Sequence, residues 1–230
     1  MTCFVKNTQR YSTQPLAVTR IQFRDSIHSN CLSPSYQCII LLSMTHPNAN
    51  ASSFLVDNYG LFDDLQIGNG VLDLACGKGR NGLFLVSHNV PVLFADNSEA
   101  QLQTIVPSFE SIGAGSKGSA CWLIDFEAEV SEGRNPLAGK SFDAVIVFNY
   151  LHRPLFPFIR EAIRPGGLIV YETFTVDQKC FGRPSNPCFL LGHDELARAF
   201  AGWEFIESFE GKISNPERAT ARLIARKQAK

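Results

Sequence analysis

The chain has 230 residues, 45% of them hydrophobic and 19% charged, with a formal net charge of −1. This composition suits a globular protein with a sizeable core, as one domain plus an appendage, and it gives no overall field to favour nucleic acid or an anionic membrane. Seven scattered cysteines, with no C-x-x-C pair and no Cys/His cluster at zinc-ligand spacing, argue against a disulfide framework or a metal site and fit a reducing compartment.

The charge is unevenly placed. Residues 1–43 carry Lys6, Arg10, Arg20 and Arg24 against Asp25, a net +3, and the remainder carries −4. The first 24 residues hold no acid and no central apolar stretch, which argues against a secretory signal. Residues 1–45 are expected to form a disordered extension ahead of a domain over 53–228, in a cytoplasmic protein. The alternative is a mitochondrial protein with residues 1–43 as its presequence. The apolar run "CIILLSM" (38–44) is far too short to span a membrane.

From about residue 53, short apolar runs alternate with amphipathic stretches, the pattern of βαβ units. Strands are expected at 69–76, 90–96, 119–125, 141–149 and 166–174, with helices over "RNGLFLVSH", "SEAQLQTIVPSF" and "RPLFPFIREAI". A loop rich in proline (175–190), a helix "HDELARAFA", and an antiparallel pair "WEFIESFEG" and "ATARLIARK" complete the chain. The expected fold class is α/β: a Rossmann-like, doubly wound, mostly parallel seven-stranded sheet with an antiparallel last strand. Ligands of such sheets lie outside the carboxyl ends of the strands.

The first of those ends reads "VLDLACGKGRNG" and contains Gly77-x-Gly79-x-x-Gly82, the glycine fingerprint of a dinucleotide-binding turn. Asp73 is awkward in that role, because a carboxylate beside a phosphate repels it by several kcal/mol. The same carboxylate suits a cofactor carrying an ammonium group, and the other reading is a strand-end acid that caps the next turn.

Further motifs follow in order: "LFADNS" with Asp96, "LIDFE" with Asp125 and Phe126, "FDAVIVFNYLH", and "IRPGGLIVYETF" with its Pro165-Gly166-Gly167 turn. Together they resemble the motif series of class I S-adenosylmethionine-dependent methyltransferases over roughly residues 53–228. The look is nearest to small bacterial-type enzymes related to tellurite-resistance methyltransferases. Ala75 stands where that family's first motif has glycine.

The resemblance implies S-adenosyl-L-methionine as cofactor, held by Asp73, Ala75, Gly77, Gly79, Asp96, Asn97, Asp125, Phe126 and Phe148. It implies methyl transfer to a small-molecule acceptor, soft or anionic, with no membrane or metal and with nucleic acid disfavoured, by a monomer or dimer. The rival enzyme reading is an RNA or protein methyltransferase. The rival of another class is a non-catalytic S-adenosylmethionine-binding protein.

Acceptor-side candidates lie after strands four and five. His152 is the candidate general base, because histidine is the residue type suited to proton transfer near neutral pH, against a histidine that only packs at a helix start. Arg153 is a candidate for binding an anionic acceptor, or else pairs with Glu161 or solvent. Asn149 precedes Tyr150 and Leu151 without the prolines of amino-methylating enzymes, which disfavours N6-adenine or glutamine as acceptor. Asn149, Tyr150, His152 and Arg153 are expected to form one wall of the acceptor approach, with Tyr171, Glu172, Thr173 and Phe174 near the other. Phe54 and Tyr59 either cover the cofactor or pack the sheet.

Overall fold

The computed structural model describes residues 51–113, 117–214 and 216–229, so the extension expected over 1–45 lies outside the described residues. The strands are β1 Val71–Leu74, β2 Val92–Asp96, β3 Ala120–Leu123, β4 Phe142–Phe148, β5 Ile163–Phe174, β6 Glu204–Ile213 and β7 Arg218–Arg226. They form one sheet in the order β3-β2-β1-β4-β5-β7-β6. The pairs β1–β2, β1–β4, β2–β3 and β4–β5 are parallel, whereas β5–β7 and β6–β7 are antiparallel.

The expected closing pair is present, and the final strand lies inside the sheet rather than at its edge. The reason is apolar content. β7 buries most of "RATARLIAR", whereas most of β6 is exposed. The third strand is shorter than expected because Asp125 already caps the following helix, accepting from the Glu127 and Ala128 N–H groups at 3.0 Å each.

Helices α1 (Ser53–Asp57), α2 (Gly60–Asp63), α3 (Arg80–Ser87) and α4 (Glu99–Ile112) precede α5 (Phe126–Ser131), α6 (Phe156–Ala162) and α7 (Glu195–Ala199). The central strands are buried on both faces. Alternate side chains such as Leu72, Val145 and Ile169 pack with Phe126, Ile159 and Leu196. Their neighbours Val71, Ala144, Ile146 and Val170 pack with Phe54, Leu83 and Ile105. Two-sided burial explains why the strands read as continuous apolar runs.

At the amino end of the sheet, Asp143 is 1% exposed. One of its oxygens accepts from the N–H groups of Gly68, Asn69 and Gly70 at 2.6–2.9 Å. The other accepts from Arg164 Nε at 2.5 Å. Close by, Gly167 leaves no room for a side chain, since a Cβ there would lie 2.6 Å from the Asp143 carbonyl oxygen. The Pro-Gly-Gly turn is thus fixed by close backbone approach, and it is pinned on its other side by paired hydrogen bonds with Lys227 (2.8 and 2.9 Å). None of the helices among the described residues is long and apolar enough to cross a membrane.

Candidate active site

After β1 the chain builds α3, β2, α4 and β3 on one side, then crosses to β4 on the other, so the carboxyl ends of β1 and β4 form the switch point. Two cavities of about 250 Å³ and about 240 Å³ adjoin there, sharing Ala75 and Asn149 in their walls. Asp96, Asn97, Gln101, Ile124, Asp125 and Phe126 line the first. Asp73, Gly77, Lys78, Arg80 and Phe148 line the second. All the residues proposed from sequence to hold a cofactor line one or both, except Gly79, which caps α3.

Asp73 sits in the middle strands of the sheet and is 2% exposed. Its Oδ2 accepts from the Gly82 N–H at 3.0 Å. Burial pushes the Asp73 carboxyl up to about 7; the Gly82 N–H opposes that rise, Asp96 adds to it, and Arg80 also opposes it. The third glycine of the fingerprint gains a reason of its own. A Cβ at Gly82 would come within 2.7 Å of Asp73 Oδ2 and 2.3 Å of the Phe94 ring. Gly82 lets the first turn of α3 approach β1 and β2 closely enough to donate to Asp73.

Asp96 is held by two backbone donors, the Gly77 N–H at 2.8 Å and the Ser98 N–H at 2.9 Å. These bonds tie the glycine loop to the end of β2 and leave further acceptor lone pairs in the cavity wall. Asp125 uses one oxygen as the cap of α5. Phe126 is 4% exposed and packs edge-on to Trp122, so it serves the core as well as the wall.

Ala75 and Asn149, at the junction of the two cavities, have φ of 53° and 56°. Asparagine tolerates this left-handed conformation, whereas alanine is strained in it by about 1–2 kcal/mol. The substitution for glycine therefore costs more than an added methyl group suggests. Ala75→Gly is expected to stabilise the protein by about 1 kcal/mol, read as a raised urea midpoint at unchanged slope.

A third cavity, about 300 Å³, continues past Asn149 and Tyr150 and is walled by Glu127, Leu151, Phe174, Pro184 and Phe189. It is the candidate acceptor site. None of the three cavity walls includes His152 or Arg153. The buried Nε2 of His152 has no hydrogen-bond partner among the described residues.

Arg153 is tied elsewhere. Its Nε and Nη2 donate to the two Glu195 oxygens at 2.5 and 2.8 Å, and its η nitrogens also donate to the Leu190 and Cys188 carbonyls (2.8 and 3.2 Å). The expectation of an anion-binding Arg153, or of one paired with Glu161, gives way to a clamp on the segment bearing Phe189.

Of the expected second wall, only Phe174 reaches the acceptor cavity. Tyr171 is buried on the α6 face and donates to the Tyr150 carbonyl at 2.9 Å. Glu172 is buried between Arg218 and Arg222. Phe54 and Tyr59 pack the core, Phe54 beneath Arg222 and Tyr59 against Phe84 and His88.

Tyr150 reaches these walls as its place after the fourth strand leads one to expect, whereas Gln101 and Glu127 contribute to them without having been given a role from sequence. Glu127 closes the quoted "LIDFE" stretch, two residues beyond Asp125 at the carboxyl end of the third strand, and that position was its signal.

This fold, with its 3-2-1-4-5-7-6 sheet, is that of class I S-adenosylmethionine-dependent methyltransferases. In the crystal structure of TehB from Haemophilus influenzae it recurs at a TM-score of 0.64 and 21% identity, covering 81% of this chain and 65% of that one. In sequence the chain is similar to the H. influenzae protein described as a probable S-adenosyl-L-methionine-dependent methyltransferase TehB, 29% identical over 144 residues, 60% of this chain and 46% of that protein. It is similar also to mouse glycine N-methyltransferase, 29% identical over 124 residues, 44% of this chain and 39% of that protein. The two sequence matches thus span less than half the length of the relatives concerned. No protein-family model matches it.

Proposed function

We propose that this protein is an S-adenosyl-L-methionine-dependent methyltransferase acting on a small-molecule acceptor. The observation that carries this reading is the pair of cavities meeting at Ala75 and Asn149, one walled by Asp73 and the other by Asp96. A molecule with a nucleoside at one end and an amino-acid group at the other fits that division. The donor set also fits: a buried carboxylate suits an ammonium, and a strand-end carboxylate with spare lone pairs suits ribose hydroxyls.

Asp73 would face the ammonium of the methionyl group and Asp96 the ribose, with Ile124, Asp125 and Phe126 beside the adenine. The glycine loop and Asn149 would bracket the junction. A sulfonium donor bound there supplies an electrophilic methyl carbon, whose bond to sulfur breaks with the electron pair left on sulfur. The protein's part is alignment, exclusion of water and proton removal from the acceptor.

Asp73→Ala is expected to weaken binding of S-adenosylhomocysteine by about 1–3 kcal/mol, read by calorimetry. Unchanged affinity would remove Asp73 from the ammonium role. A pH dependence accompanies it. The raised Asp73 pKa means that the group's own contribution to stability is fully present below its unfolded value and is lost as pH rises through about 7. An ammonium selects the ionised form, so affinity for S-adenosylhomocysteine should rise about tenfold from about pH 6 to about pH 8.

A further inference from the structure

The acceptor cavity has a chemistry that narrows its occupant. Three aromatic rings, from Tyr150, Phe174 and Phe189, stand in a wall whose only formal charge among the described residues is the Glu127 carboxylate. Glu127 and Tyr150 belong also to the adjoining cavity, where Asp96 and Asp125 add two further acids. The Tyr150 phenol is pushed up from its ordinary pKa by burial, and then by the nearby charges of Glu127, Asp125 and Asp96. Any anion placed beside that hydroxyl meets the same field.

Three arginines of the flanking segments are engaged by acids elsewhere, and Arg183, next to Pro184, is exposed and is not part of the cavity wall. Arg153 is paired with Glu195, and Arg218 and Arg222 are paired with Glu172. Lys78 and Arg80 line the Asp73 cavity instead. Aromatic faces with a carboxylate attract organic cations and repel oxyanions.

We propose that the acceptor is an apolar amine, bound as its ammonium between Glu127 and the Tyr150, Phe174 and Phe189 rings. The proposal rests on the methyltransferase reading above and replaces the soft or anionic acceptor expected from sequence. One proton passes from the ammonium to a Glu127 oxygen and on to solvent. That leaves the nitrogen lone pair free to form the new bond to the donor's methyl carbon, and the product keeps the charge as a methylated ammonium. Arg153 acts as a positioning residue, holding the segment that carries Phe189.

The test is a calorimetric titration of the full-length protein saturated with S-adenosylhomocysteine, using phenethylamine and its size-matched carboxylate hydrocinnamate at neutral pH. The amine should bind at least about tenfold more tightly than the carboxylate, and Glu127→Gln should erase most of that preference. Equal or tighter binding of hydrocinnamate, binding of neither probe, or a preference that survives Glu127→Gln would each overturn the acceptor class while leaving the cofactor reading intact. A protein that does not take up S-adenosylhomocysteine would instead overturn the cofactor reading and this proposal with it.

Discussion

Glu172→Ala is expected to destabilise the protein by about 3–5 kcal/mol, among the largest effects of any single substitution in the sheet. The Glu172 side chain is fully buried. Its two oxygens accept from Arg218 Nη2 at 2.8 Å and from Arg222 Nε at 2.6 Å. Truncation strands two guanidinium groups whose side chains are only 19% and 17% exposed. Arg218 is already short of partners, since its Nε has no hydrogen-bond acceptor among the described residues. Arg222 also lies over the Phe54 ring at 5.1 Å, so its displacement would disturb the seat of α1.

At about 2–4 °C per kcal/mol for a chain of this size, the loss should appear as a fall of roughly 10 °C in melting temperature. The same substitution separates structure from chemistry. Glu172 lies at the carboxyl edge, where an acid invites a catalytic role, and a variant that kept its stability but lost turnover would contradict the structural assignment.

Asp143→Ala acts at the opposite edge and is expected to cost a similar 3–5 kcal/mol, read from chemical denaturation. It removes the acceptor for three consecutive backbone N–H groups and the partner of Arg164. The turn at residues 68–70 leads directly into β1, whose far end carries Asp73 and the glycine loop. Asp143→Asn keeps one carbonyl acceptor and loses the charge, so it should retain part of the stability. Equal stability of wild type and Asp143→Ala would show that solvent satisfies this turn unaided.

Neither carboxylate's role was legible in the sequence, and the reason is common to both. Local patterns report periodicity, caps and turns, but the partners of Glu172 lie 46 and 50 residues away and Arg164 lies 21 residues from Asp143. The Arg153–Glu195 clamp, across 42 residues, was hidden in the same way, and without it Arg153 reads as a free cation near the site.

What sequence did convey was the strand order along the chain and the positions of the loops that close over the switch point. Two-sided burial writes long apolar runs into the parallel strands, and the glycine and Pro-Gly-Gly turns mark their ends. Placing β7 between β5 and β6 required comparing how apolar the two strands are. The strain at Ala75 required a backbone angle that no residue type announces, because alanine is unremarkable almost everywhere else.

On the proposed function, the loop opened by Asp73 and closed by Gly82 holds the methionyl end of a methyl donor and not the pyrophosphate of a dinucleotide. Asp73 makes the two alternatives exclusive, since its buried carboxylate attracts an ammonium and repels phosphate. Isothermal calorimetry of the purified protein with S-adenosylhomocysteine and, separately, with NAD tests this most directly. Saturable one-to-one binding of S-adenosylhomocysteine with no heat from NAD is the expected result. Binding of NAD with none of S-adenosylhomocysteine would contradict it.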